Sequence, residues 1–228
     1  MDAGTPRADC VARLAAWLAA LECSHAVRVA IDGPDAAGKT TLADELAAGL
    51  AAAHAREAVR VSLDDFQHPA EQRHRRGRLS PEGYLYDSFD HAALRHAVLD
   101  PEAAPPGAIL LVDGVFLQRP ELTGCWDARV FVRVSEAESL LRALRRDATR
   151  FGSEAAVRER YGLRYLPAQR LYEERIRPAQ QADVVVDNED VWPSRDWSSA
   201  RAATSPDAGC LSRGRGPWPA AGPSAPGS

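Results

Sequence analysis

Between a β-rich run, "VRVAIDG" (27–33), and the Ala/Leu-rich "TTLADELAAGLAAAHA" (40–55), the chain reads "GPDAAGKT". Strand, glycine loop, helix is the first βα unit of a parallel sheet, and the loop fits the pattern Gly-x-x-x-x-Gly-Lys-Ser/Thr in full. Glycines at these places let successive backbone N–H groups curl around a phosphate, and the N-terminus of the following helix adds a favourable dipole. The expected nucleotide-binding residues are Gly33, Pro34, Asp35, Ala36, Ala37, Gly38, Lys39, Thr40 and Thr41. In such a loop Lys39 reaches the β- and γ-phosphates of ATP, and the Thr40 hydroxyl holds Mg²⁺. Of the 28 basic residues in the chain, 27 are arginine and Lys39 is the sole lysine. A compact ammonium fits among phosphate oxygens as a point charge, a job that the broad guanidinium plane does less well.

The rest of the chain continues the alternation. Strands are expected at "VRVSLDDF" (59–66), "AILLVDGVF" (108–116), "ARVFVRVS" (128–135) and "ADVVVDN" (182–188), with helical patterns near 90–99, 136–149 and 154–178. Each strand is nearly continuous in Val, Ile and Leu, which implies a parallel sheet of about five strands covered by helices on both faces. Asp113 ends the third of these strands, where an acid can hold the metal of a phosphate-binding loop; the plain alternative is a strand-end Asp opening a turn with Gly114.

Three segments follow from composition and spacing. Residues 1–25 carry Val11, Leu14, Trp17, Leu18 and Leu21 at helical spacing, so they read as an amphipathic helix packed on the domain, with an acidic rather than basic leading flank that argues against a secretion signal. Residues 26–190 hold the α/β domain. From Val191 to Ser228, 25 of 38 residues are Ala, Ser, Pro or Gly, which reads as a disordered low-complexity tail. A formal charge of −4 gives no case for a nucleic-acid partner, and no run reaches the roughly 18 apolar residues of a membrane span. Cys10, Cys23, Cys125 and Cys210 are scattered without a Cys-x-x-Cys pair, which suggests neither a zinc site nor a disulfide framework and fits a cytoplasmic setting.

Six stretches, "IDGPDAAGKTTLADEL", "SLDDF", "SFDHAALRHAVLD", "ILLVDGVFL", "SLLRALRRD" and "RYLPAQRLYEERIRPAQQADVVVDN", occur in the order and rough spacing of the uridine kinase-like group of P-loop kinases. The chain resembles that group, which includes uridine-cytidine kinases, phosphoribulokinase and bacterial pantothenate kinase, over about residues 26 to 188. The resemblance implies a P-loop fold with an Arg-rich lid, and ATP·Mg²⁺-dependent transfer of phosphate to a hydroxyl of a small metabolite, a nucleoside being the first guess. It puts Asp64 on the position that takes the acceptor's proton, with Asp65 beside it as a support to the substrate site. Asp90 falls where the group grips sugar hydroxyls, with Phe89 as an apolar wall; Asp90 also suits the N-cap of the next helix. Arg146 matches the group's Arg-Asp step in the lid, and Arg142 and Arg150 follow as phosphate or substrate contacts.

Two departures bear on the acceptor. Gln67 stands where an aromatic often follows the Asp-x-Phe element, and only "PEAAPPG" lies between Asp100 and Ala108, where uridine kinases commonly carry a longer acceptor-binding hairpin. The basic run "RHRRGR" (73–78) is either a surface loop or a clamp for an anionic acceptor. Alternatives to a hydroxyl kinase are a nucleoside monophosphate kinase and a non-catalytic P-loop regulator. A GTPase is excluded by the lack of any second lysine for an Asn-Lys-x-Asp base reader. Oligomeric state is open.

Overall fold

A computed structural model describes residues 6–100, 103–189 and 211–213. In chain order the elements are α1 (Pro6–Ala19), β1 (Val27–Asp32), α2 (Lys39–His54), β2 (Ala58–Ser62), α3 (Ala70–Arg73), α4 (Pro81–Asp87), α5 (His91–Leu99), β3 (Ile109–Gly114), β4 (Ala128–Arg133), α6 (Glu136–Phe151), α7 (Glu154–Arg160), α8 (Leu166–Ile176), α9 (Pro178–Gln181), β5 (Val184–Asp187) and β6 (Leu211–Arg213). The sheet runs β2-β3-β1-β4-β5-β6, parallel from β2 to β5, with β6 antiparallel at one edge. This order leaves β1 at the centre, flanked by β3 and β4, so the loop after β1 opens over the middle of the sheet's C-terminal edge. Open parallel sheets bind ligands at that edge, where successive connections leave in opposite directions.

Side-chain alternation sorts the apolar residues onto two faces. Val27, Val29 and Ile31 of β1 join Ile109 and Leu111 of β3 beneath α1 and α2, whereas Ala30, Leu110 and Val112 pack with α4, α5 and α8 on the other side. In α1, Cys10, Leu14, Ala15 and Leu18 are buried against α2, so the N-terminal helix is part of the core. Its Arg7 adds two bonds to Glu45 of α2 and one to Asn188 just beyond β5.

Three features differ from the sequence reading. The run 59–66 is strand only to Ser62, whose hydroxyl accepts the N–H of Asp64 and starts a 3₁₀ turn over Leu63–Phe66. The run 154–178 is not one helix: a π turn over Tyr161–Tyr165 separates α7 from α8. Cys23 and Cys125 are free, but Cys10 is disulfide-bonded, which the scattered cysteine spacing had not suggested. The expected tail over 191–228 lies outside the described residues except for β6. Among the described residues, no helix is long and apolar enough to cross a membrane.

Leu14 is fully buried between α1 and α2, and Leu14→Ala is expected to cost about 2–5 kcal/mol, measured by urea denaturation. A loss below about 1 kcal/mol would mean that α1 does not belong to the cooperative unit.

Candidate active site

The loop after β1 is held in a phosphate-cradling shape by close backbone contacts. A Cβ on Gly33 would lie 2.4 Å from the Val132 carbonyl oxygen, and one on Gly38, at φ 87°, would lie 2.8 Å from Asn188 Nδ2. Only glycine permits the first approach, and it is favoured at the second by both space and conformation. Asn188 Nδ2 donates to the Ala37 carbonyl at 2.7 Å, and Arg142 reaches the Ala36 and Ala37 carbonyls and the Asn188 carbonyl from the lid side. Arg142 therefore braces the back of the loop, and its Nε donates to Glu138 at 2.8 Å. Helix α2 begins at Lys39, so its N-terminal N–H groups lie at the mouth of the loop.

Lys39 is 8% exposed and its Nζ donates to the Pro34 carbonyl at 2.6 Å. Burial pulls the ammonium below its ordinary pKa, opposed by the charges of Asp35, Asp32, Asp113 and Asp64 in that order. Four carboxylates thus converge on the sole lysine. Thr40 Oγ1 donates to Asp113 Oδ2 at 2.7 Å, and Arg60 Nη2 donates to Asp113 Oδ1 at 2.8 Å. The hydroxyl of the loop and the acid of β3 lie side by side, a pair of hard oxygen donors that fits Mg²⁺, an ion that keeps several waters and needs few protein ligands.

On the opposite side stands the 3₁₀ turn. Asp64 and Asp65 are both exposed, but Gln67 Nε2 donates to Asp64 Oδ1 at 3.1 Å, and Asp64 contributes to the electrostatics of Lys39 and of the buried Tyr84 phenol. Backbone bonds from His68 to Ser88 and from Asp90 to Phe66 tie this turn to the start of α5. Asp90 caps α5, its carboxylate accepting the Ala93 N–H at 2.9 Å. Phe89 is 4% exposed and packs in the core against Tyr84, so its ring is not the open wall expected for it. An isolated antiparallel bridge to Gln67 brings its backbone, not its ring, to the turn.

The lid arginines divide. Arg146 makes two bonds of 2.9 Å to Asp147, which raise its pKa, while the charge of Asp35 in the loop adds to the same effect. Its side chain keeps 59% exposure. Arg150 lies over the Phe151 ring at 5.5 Å and is not tied to the loop by any hydrogen bond among the described residues.

Several site residues escaped the sequence reading. Asp32, the last residue of β1, is fully buried; its Oδ1 accepts the Gly33 N–H at 2.8 Å, and its Oδ2 accepts the Tyr172 hydroxyl and the Gln118 amide. Tyr84 and Gln169 are two more: Tyr84 Oη and the Gln169 amide donate to the Asp35 carboxylate at 2.8 and 3.3 Å, which joins the loop to α4 and α8. Arg60 on β2 was passed over as well. An acid closing an otherwise apolar strand, and an arginine inside one, were the available signals. A cavity of about 640 Å³ lies away from this cluster, between β4, the end of β5 and helices α8 and α9.

Solved structures share this architecture. A protein from Bacillus stearothermophilus described as a possible uridine kinase matches with a TM-score of 0.59 at 22% identity, over 78% of this chain and 97% of that one. A candidate fructose transport system kinase from Silicibacter matches at 0.60 and 23%, over 72% and 94%. The D-glycerate 3-kinase of Cryptococcus neoformans matches at 0.58 and 11%, over 81% and 96%. The chain has the α/β fold that these structures share, a parallel sheet flanked by helices. No protein-family model matches it, and no curated protein matches it by sequence.

Burial raises the Asp32 pKa, against the bonds from Tyr172 and Gly33 that lower it. The folded chain therefore keeps the Asp32 proton to a higher pH than the unfolded chain, and stability falls as pH climbs from the ordinary carboxylate range through the raised value. Tyr172→Phe removes a donor to the ionised form and lifts that value further. The expected loss is about 1–3 kcal/mol near neutral pH and less at pH 4, measured by denaturation across that range. A loss independent of pH would show that the Tyr172 hydroxyl acts through the Gln118 N–H that it accepts at 2.9 Å, and not through the Asp32 carboxylate.

Proposed function

We propose that the protein transfers the γ-phosphoryl group of ATP to a hydroxyl of a small metabolite. The observation that carries this reading is the Thr40–Asp113 contact of 2.7 Å beside the buried Lys39, with Asp64 facing them across the edge of the sheet. Lys39 neutralises charge on the β- and γ-phosphate oxygens, and the loop amides hold them. Asp64 accepts the proton of the acceptor hydroxyl as its oxygen attacks phosphorus, a role that requires a carboxylate near the γ-phosphate but not bonded to it. The Gln67 amide orients that carboxylate, and Asp65 supports the turn. Arg146 is exposed enough to swing toward the transferring group, where its planar donors suit the equatorial oxygens. Thr40 and Asp113 would hold Mg²⁺, which would supply neutralising charge to the phosphates when bound. Arg60 then keeps Asp44 as its partner, since its guanidinium already bonds both carboxylates.

The acceptor class named by the sequence resemblance is a nucleoside, with Asp90 gripping a hydroxyl through the carboxylate oxygen not used in capping. The partners are then small molecules, and neither nucleic acid nor membrane is required. An exposed carboxylate at Asp64, near the start of the 3₁₀ turn, favours a hydroxyl acceptor over a phosphate acceptor, because a phosphate acceptor needs no base.

Lys39→Ala is expected to abolish ATP-dependent turnover, read by coupled ADP release. Asp64→Asn is expected to lower kcat roughly 10²–10⁴-fold with ATP affinity kept, and Asp65→Asn to change kcat by less than about tenfold. Full activity in Lys39→Ala would sink the assignment of the loop; a larger loss in Asp65→Asn than in Asp64→Asn would reverse the roles of the two carboxylates.

A further inference from the structure

The basic run 73–78 and the π turn of the lid meet beside the 3₁₀ turn that carries Asp64. Arg73 Nη1 donates to Gln67 Oε1 at 3.0 Å, and Gln67 in turn donates to Asp64, so Arg73 lies two hydrogen bonds from the proposed base. Arg164, in the π turn, donates to Ser88 Oγ at 3.2 Å and to the Arg78 carbonyl, and its guanidinium lies 5.3 Å from the Tyr84 ring. Both arginines therefore converge on the paired segments 64–68 and 88–90.

The arginines of this cluster are of two kinds. Arg75 and Arg76 both bond Asp87, whose side chain is fully buried, and so anchor the loop. Among the described residues, no carboxylate pairs with Arg73, Arg78, Arg160 or Arg164. Arg164 is only 5% exposed, and its Nε and that of Arg73 are buried without a hydrogen-bond partner. His74 lies among the same charges, and burial followed by Arg164, Arg73, Arg78 and Arg160 drives its pKa down. A surface loop solvates its charges or pairs them. Burying one cation among several others, with donors left open, is unfavourable unless an anion completes the set.

We infer that the acceptor carries an anionic group, a carboxylate or a phosphate, which Arg73, Arg78 and Arg164 hold while Asp64 faces its hydroxyl. The inference rests on the phosphoryl-transfer reading and narrows it, because it disfavours a neutral nucleoside. Arginine forks bind either anion through paired N–H donors, so the two sources share one chemistry. The anchoring of Arg75 and Arg76 on Asp87 sets the position of the loop, and the free arginines at either end of the run face the ligand.

Two experiments test it. Calorimetric titration of the full chain with inorganic phosphate is expected to show two sites, one lost in Lys39→Ala and the other in the double variant Arg73→Gln, Arg78→Gln. Both of those arginines are partly or fully solvent-accessible, so the double variant is expected to keep the wild-type Tm. A single site that vanishes with Lys39 overturns the inference. In turnover assays with ribose against ribose 5-phosphate, glycerol against glycerate, and uridine, product is expected only from the anionic members. The double variant is expected to raise the acceptor KM roughly 10- to 100-fold, with the KM for ATP within about twofold. A neutral acceptor used better than its anionic counterpart, or an unchanged acceptor KM, overturns it. Failure of the kinase reading looks different: no acceptor supports ATP consumption, yet the Arg73-dependent phosphate site persists.

Discussion

The carboxylate of Asp32 fixes where the chain leaves the sheet. One oxygen takes the Gly33 N–H, and the other takes the Tyr172 hydroxyl from α8 and the Gln118 amide from the segment after β3. A buried carboxylate without such donors would cost several kcal/mol, so its position dictates that of its partners. Two distant stretches are thereby locked to the end of β1, where the loop begins. The close contact of Gly33 with the Val132 carbonyl then leaves the loop one way out, over β1 and toward α2. Every later feature of the site takes its place from that exit: Lys39 at the head of α2, Asp113 on the neighbouring strand, and Asp64 one strand further on.

Charge is distributed with the same economy. Three arginines hold the frame around the site: Arg142 bonds the carbonyls of Ala36, Ala37 and Asn188, and Arg75 and Arg76 tie the turn before α4 to the Asp87 carboxylate at the end of that helix. These guanidiniums suit the work because one planar head can satisfy several acceptors at fixed angles. Lys39 has a different surrounding, in which one carbonyl is bonded and four carboxylates act from a distance. Burial weakens its charge, and the carboxylates offset that effect only in part. The result is an ammonium held ready among acids rather than locked in an ion pair.

Much of this was legible in the chain. The strand-loop-helix signature, the five parallel strands and the amphipathic α1 come from local patterns, namely β-branched runs, glycine spacing and the helical recurrence of Leu14 and Leu18. Asp113 could be located because it closes an apolar run. What was hidden depends on contacts between distant segments. The strand expected over 59–66 stops at Ser62 because a hydroxyl captures the Asp64 N–H, a choice that β propensity does not record. Phe89 was expected to face the ligand, but the bridge of its backbone to Gln67 turns the ring into the core beside Tyr84. The π turn within 154–178 inserts extra residues into a helical period that reads as continuous, and it is this turn that brings Arg164 under the basic loop.

The pairing of Asp113 with Arg60 shows how such a site stays folded before its ligands arrive. Asp113 is 3% exposed, and an ionised carboxylate so placed needs positive charge or strong donors. Thr40 supplies one hydrogen bond and Arg60 supplies the charge. Arg60 also bonds the exposed Asp44 of α2, so its guanidinium spans the two acids at the edge of β2. A lysine at that place would offer a point charge to one acid at a time; the fork of an arginine serves both and leaves Asp113 free to exchange one partner without stranding the other. The acid of β3 is therefore aligned with the Thr40 hydroxyl and held by a cation that keeps Asp44 as a partner when Asp113 turns to another.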